Sequence, residues 1–187
     1  MSILKVDTIL KRTGTGTITL GQSGDTIALG SGASQTVAVN TPCFQVYNSS
    51  HQTVTHNVVT KFQGNVESVD SNGAYDNTTN YRWTCPSGQG GTYLFWWKLF
   101  VHANGNTLNS TNAYLKKNGT TISGVANNDG TNTNGNDETQ VPITGSFMTN
   151  ISAGDYVELY GWATTSNSGS YYFISNSNGW GGMKLIT

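Results

Sequence analysis

Charge is scarce in this chain. Asp, Glu, Lys and Arg make up 10% of its 187 residues, roughly half the usual share. Nine Lys plus Arg stand against ten Asp plus Glu, for a net charge of −1. No basic stripe can neutralise a run of phosphates, so nucleic-acid binding is not expected. The two basic doublets, Lys11-Arg12 and Lys116-Lys117, read as solvated strand ends or turns. Long apolar runs are missing too. No segment approaches the ~20 apolar residues of a membrane span, and Met1 to Lys11 hold no signal-like apolar stretch of ~7 to 15 residues. Neither membrane insertion nor export by that route is expected. The five sequons, at Asn48, Asn77, Asn109, Asn118 and Asn150, then read as turns.

Reactive side chains are equally sparse. No Gly-x-Ser-x-Gly elbow, His-Glu-x-x-His pair, Cys-x-x-Cys pair or Gly-Lys dipeptide occurs, which removes the usual hydrolase, metal and nucleotide signatures. No enzyme and no cofactor is expected. The three histidines, His51, His56 and His102, make no constellation and read as solvated. Asp129, Asp137 and Glu138 lie in a loop rich in Gly and Asn; its spacing fits no EF-hand, leaving an exposed tip or an irregular calcium site. Cys43 and Cys85 each adjoin an apolar run and read as free buried thiols, with a disulfide as the alternative.

What is present belongs to β-structure. Asn, Thr, Ser and Gly are abundant, and five Trp, nine Tyr and six Phe make an aromatic fraction of 11%. β-branched and ring side chains suit pleated surfaces, while Gly, Asn and Ser suit turns. So many rings at so little net charge exclude a disordered chain.

The length fits one domain of ordinary size plus an appendage of ~40 residues. Residues 1–40 contain no aromatic side chain and carry a loose repeat: Thr8-Ile9, Thr17-Ile18, Thr26-Ile27 and Thr36-Val37 recur at steps of nine, nine and ten. Ile18 with Leu20 and Ile27 with Leu29 alternate with small polar residues, and Gly21 or Gly30 follows. Short strands between glycine turns are expected there. So few apolar groups cannot offset a backbone entropy of ~1 to 2 kcal/mol per residue. Partner chains or a docking surface must help, or the segment packs as an arm on its own head.

Residues 41–187 read as the head, with turn clusters at Ser71-Asn72-Gly73, Ser87 to Gly91 and Asn118-Gly119. Strands are expected at Cys43 to Tyr47, Val58 to Phe62, Tyr81 to Thr84, Thr92 to His102, Ala113 to Lys117, Gly145 to Asn150, Tyr156 to Trp162 and Gly182 to Ile186. Eight such strands suggest a two-sheet jelly roll, an all-β sandwich. Two strands are apolar on both faces. Tyr93, Phe95, Trp97, Leu99 and Val101 share one side, and Leu94, Trp96 and Phe100 the other. In the second run Val157 and Leu159 oppose Tyr156, Tyr160 and Trp162, with Glu158 among the rings. Taken as one patch, the five outward rings would present roughly 800 to 1,200 Å², more than a soluble monomer usually shows and about one side of a standard interface. Self-association is expected, unless a loop or the stem covers the rings.

Several segments together resemble the complement-type globular head of the tumour-necrosis-factor-like jelly rolls. They are Pro42 to Tyr47, Tyr75-Asp76-Asn77, Tyr81 to Pro86, Gly91 to Phe95, Ala113 to Gly119 and Ile151 to Leu159, in that order. Two departures stand out: a very polar loop from Asn127 to Glu138, and Trp180-Gly181-Gly182-Met183 where the family usually has Phe-Ser-Gly-Phe. The resemblance implies a homotrimer with one sheet of each subunit facing the threefold axis and Trp96, Phe100, Tyr156, Tyr160 and Trp162 at the interface. The opening Ile3-Leu4-Lys5-Val6-Asp7-Thr8-Ile9 is similar to the start of virion appendage proteins of tailed bacteriophages. It implies a stem of residues 1–40 docking on the major capsid protein or another virion protein through Ile3, Leu4, Val6, Ile9, Ile18, Leu20, Ile27 and Leu29. The expected role is a capsid decoration or cement protein on the virion surface. A short tail fibre or spike binding host-surface glycan is the alternative. A stem of ~40 residues reaches at most ~140 Å even fully extended, which favours decoration.

Overall fold

A computed structural model describes residues 41–129, 139–176 and 179–185. Among them every element is a strand: β1 (Cys43–Tyr47), β2 (Gln52–Val54), β3 (Thr60–Lys61), β4 (Val66–Asp70), β5 (Tyr75–Asp76), β6 (Arg82–Thr84), β7 (Gly91–His102), β8 (Leu108–Lys117), β9 (Thr120–Asp129), β10 (Gln140–Ile151), β11 (Tyr156–Thr165), β12 (Tyr171–Phe173) and β13 (Gly179–Lys184). They form two antiparallel sheets. The first runs β2-β12-β7-β13-β1-β4 with β10 on the other side of β7; the second runs β5-β6-β11-β8-β9 with β3 also on β11. The architecture is the expected jelly-roll sandwich.

Alternation fills the space between the sheets. Tyr93, Phe95, Trp97, Leu99 and Val101 of β7 point inward and are buried, facing Ala113, Leu115, Val157, Leu159 and Ala163 from the second sheet. Rings from elements far apart in sequence meet there. Phe44 stacks on Trp83 at 5.6 Å and 9° and meets Trp180 edge-on at 4.8 Å, while Trp83 lies 4.9 Å from Tyr93. Each large buried side chain contributes ~1.5 to 3 kcal/mol, and such ring pairs ~0.5 to 1.5 kcal/mol more.

The Trp180-Gly181-Gly182-Met183 sequence has a steric explanation. A Cβ on Gly181 would lie 2.6 Å from the indole of Trp96, and one on Gly182 would lie 2.5 Å from Phe95. Both glycines make room for a ring on β7, their partner in register, one on each face of the sheet.

Several strands differ from expectation. β8 begins at Leu108 and β10 at Gln140, earlier than foreseen, because antiparallel partners carry polar residues such as Ser110 and Thr111 into the ladder. Pro142 lies within β10, which among the described residues pairs with β7 only and so tolerates a missing donor. The strand expected over Val58 to Phe62 shrinks to Thr60–Lys61, and the last strand shifts to Gly179–Lys184. β2, β4, β5, β9 and β12 were not foreseen; four are five residues or shorter, and β9 is too polar to stand out. Both cysteines are free thiols: Cys85 is buried, with Sγ 3.7 Å from the Tyr93 hydroxyl, and burial raises its pKa; Cys43 is partly exposed. The stem residues Ile3, Leu4, Val6, Ile9, Ile18, Leu20, Ile27 and Leu29, and the loop acids Asp137 and Glu138, lie outside the described residues.

Candidate functional site

The five expected interface rings do not share a surface. Trp96 and Phe100 belong to β7 in the first sheet, whereas Tyr156, Tyr160 and Trp162 belong to β11 in the second. Their outward sides are the two opposite faces of the sandwich. Period-2 alternation correctly assigned each ring to the outward side of its own strand. It carried no information on which sheet that strand joins, and β11 pairs with β3, β6 and β8, not with β7.

The outward face of the first sheet is built from rows in register. Met148, Leu94, Met183 and Cys43 follow one another across β10, β7, β13 and β1. In the next row come Ser146, Trp96, Gly181, Gln45 and Val69, and then Thr144, Lys98, Gly179, Tyr47 and Val66. Lys98 is the one charged residue in these three rows, and its Nζ lies 5.0 Å from the Phe100 ring. Met148 is 57% exposed, Val69 46% and Met183 39%. The Trp96 indole lies over Gly181 and borders two grooves. One, of about 140 Å³, is lined by Cys43, Phe44, Val69 and Met183; the other, of about 320 Å³, by Gln45, Tyr47, Lys98 and Asn176.

The outward face of the second sheet is chemically different. Glu158 is 5% exposed, although its side chain points outward. The Lys61 ammonium lies 2.6 Å from its Oε1 and also donates to the Asn80 carbonyl at 3.0 Å. The Tyr160 hydroxyl donates to Glu158 Oε2 at 3.2 Å. Burial, with the Glu158 charge second, pushes the Tyr160 phenol up to about 12. Lys116 sits 4.2 Å over the Tyr160 ring and Arg82 4.3 Å over Tyr156. The Trp162 indole donates to Asn57 at 2.9 Å. Every ring of the expected set on this face therefore has a cation or an amide from the same chain.

A third cluster fastens one end of this sheet. Lys117 lies 2.8 Å from Asp155, which also accepts from Asn118 Nδ2 at 2.7 Å and from the Ser152 amide at 2.8 Å. Lys117 first, then Asn118 and Ser152, hold the Asp155 carboxyl down to about 2. Asn118 and Gly119, with φ of 50° and 81°, form the two-residue hairpin between β8 and β9 that Asn-Gly suits. Among the described residues no group of three His, Cys, Asp or Glu side chains is placed to hold a metal.

No family model and no curated protein matches this chain. Solved structures do. Eiger, a tumour necrosis factor from S. frugiperda, aligns with a TM-score of 0.54 at 12% identity, over 78% of this chain and 93% of its own. The globular domain of zebrafish complement 1qA aligns at 0.52 and 15% identity, over 78% and 98%. Murine APRIL aligns at 0.55 and 10% identity, over 78% and 99%. The fold is that of these heads. At such identities the likeness extends to the fold alone. Sequence reading does not place Met148, Met183, Val69 and Cys43 beside Trp96; only the register gathers them there. It had also missed Lys61, Arg82 and Lys116 as covers for the rings of β11.

Proposed function

We propose that this chain is a non-catalytic structural protein of a tailed-bacteriophage virion. Three copies pack the outward faces of their first sheets together, and residues 1–40 dock the trimer on the major capsid protein as surface decoration. The observation that carries the trimeric part is the difference between the two outer faces: one presents Trp96, Leu94, Met148, Met183 and Val69 with a single ammonium among three rows, while the other has its rings covered by its own cations. Burying an apolar face of this kind is what a stable association of ~800 Å² per partner requires. Tyr156, Tyr160 and Trp162 stay in solvent in this arrangement. The virion part is supported by the opening Ile3 to Ile9 segment and the Thr-Ile repeats.

Light scattering of the full chain tests the assembly, with about 60 kDa expected from three chains of 20.0 kDa each. Counting copies per virion by gel densitometry tests the context. Decoration predicts hundreds of copies; a count in the tens would transfer the same trimer to a short tail fibre or spike.

A further inference from the structure

A small polar cleft of about 70 Å³ opens among the connections near β2. It is walled by Asn48, Ser50, His51, Gln52, Gln63, Asn65 and Tyr81. Four carboxamides, a hydroxyl, an imidazole and a phenol make up this set, and no carboxylate, ammonium or guanidinium belongs to it. Such a wall of amide, hydroxyl and ring groups suits a neutral, hydroxyl-rich ligand.

Two features set the cleft apart from an ordinary surface dent. Asn48 is 2% exposed and its Nδ2 donates to the carbonyls of Ser50 at 2.8 Å and Phe173 at 3.3 Å, yet its buried Oδ1 has no partner. A buried amide oxygen without a donor is costly and uncommon. Tyr81 holds φ at 49°, in the left-handed region that bulky residues avoid and that clusters at ligand sites. The rest of the wall is preformed. Gln52 bridges the Gln63 amide at 2.9 Å and the Lys61 carbonyl at 2.7 Å, Asn65 accepts from the Ser49 amide at 2.9 Å, and His51 is stacked 4.7 Å from Tyr172 with Nδ1 accepting from Ser175 at 2.8 Å.

We propose that this cleft binds the edge of a neutral sugar ring. At a share of roughly 30 Å³ for each water-sized group, two neighbouring hydroxyls fit among the amides. They meet the Gln63 and Asn65 carboxamides, and the ring rests against Tyr81. The cleft shares no lining residue with the grooves beside Trp96.

The test is a nuclear magnetic resonance titration of the full chain with D-glucose, D-galactose, D-mannose and N-acetyl-D-glucosamine, each alone, following the Tyr81 and His51 rings. At least one sugar should shift both signals saturably in the millimolar range. Asn65→Ala should weaken that sugar roughly tenfold, the worth of one hydrogen bond. Gln63→Ala, on an exposed side chain that leaves folding intact, should weaken it as well. Tyr81→Asn should abolish the response while melting no lower than the parent, because Asn accepts the left-handed backbone more readily. No shift with any of the four sugars would overturn the proposal. So would equal shifts with glycerol, or an undiminished response in both Gln63→Ala and Tyr81→Asn.

Discussion

The two outer faces of this sandwich have similar numbers of rings and opposite surroundings. On the second sheet, Arg82, Lys116, Lys61 and Glu158 form a lattice with Tyr156 and Tyr160, so the face is complete within one chain. On the first, Trp96 lies over a glycine with methionines, a valine and a leucine in the rows around it, and the one charge in those rows is Lys98, beside Phe100. The lesson is that ring content does not identify an interface. What neighbouring strands place beside the rings decides whether a face needs a partner.

The largest effect should come from the first face. Trp96→Ser with Phe100→Ser should convert the assembly to single chains, read as a threefold drop in mass by light scattering; an unchanged mass with unchanged melting breaks the comparison. Next is Glu158→Ala, which leaves the Lys61 ammonium without its carboxylate. Because Lys61 is 30% exposed it can rehydrate, so the expected loss is about 1 to 2 kcal/mol in denaturant unfolding, with mass unaffected. Asp155 gives a pH signature. Its carboxyl titrates near 2 in the folded chain against 3.8 when free. The stabilisation is therefore complete above about pH 4 and is lost as pH falls toward 2. Asp155→Asn should flatten that part of the melting profile, and an unchanged slope would remove the Lys117 and Asn118 cluster from the account. Smallest is Arg82→Ala beside Tyr156, expected to cost at most about 1 kcal/mol and to leave the mass of the assembly alone.

Much of the fold could be read from residues. The alternation of Tyr93 to Val101 against Leu94 to Phe100 gave the central strand and its two faces, and Asn118-Gly119 gave the hairpin beside it. β9 was not legible because its Thr, Ser and Asn residues carry no apolar alternation. The shortest strands, such as Tyr75–Asp76, exist only because a neighbour pairs with them. The candidate face was half legible. Trp96 and Phe100 stood out as rings without an inward place, whereas Met148, Met183 and Cys43 join them only through a register that no local pattern encodes. The same limit merged β11 with β7: their sequences look alike, and sheet membership is a long-range property.

Oxidative footprinting of the full chain, read residue by residue by mass spectrometry, reports which outer face is covered in the assembly. Met148 and Met183, both exposed on a single chain, should resist oxidation at concentrations where the chain associates and lose that protection on dilution, while Trp162 reacts equally in both. Methionines that oxidise freely at every concentration, or protection that falls on Trp162 and Tyr156 instead, would contradict association through the first sheet.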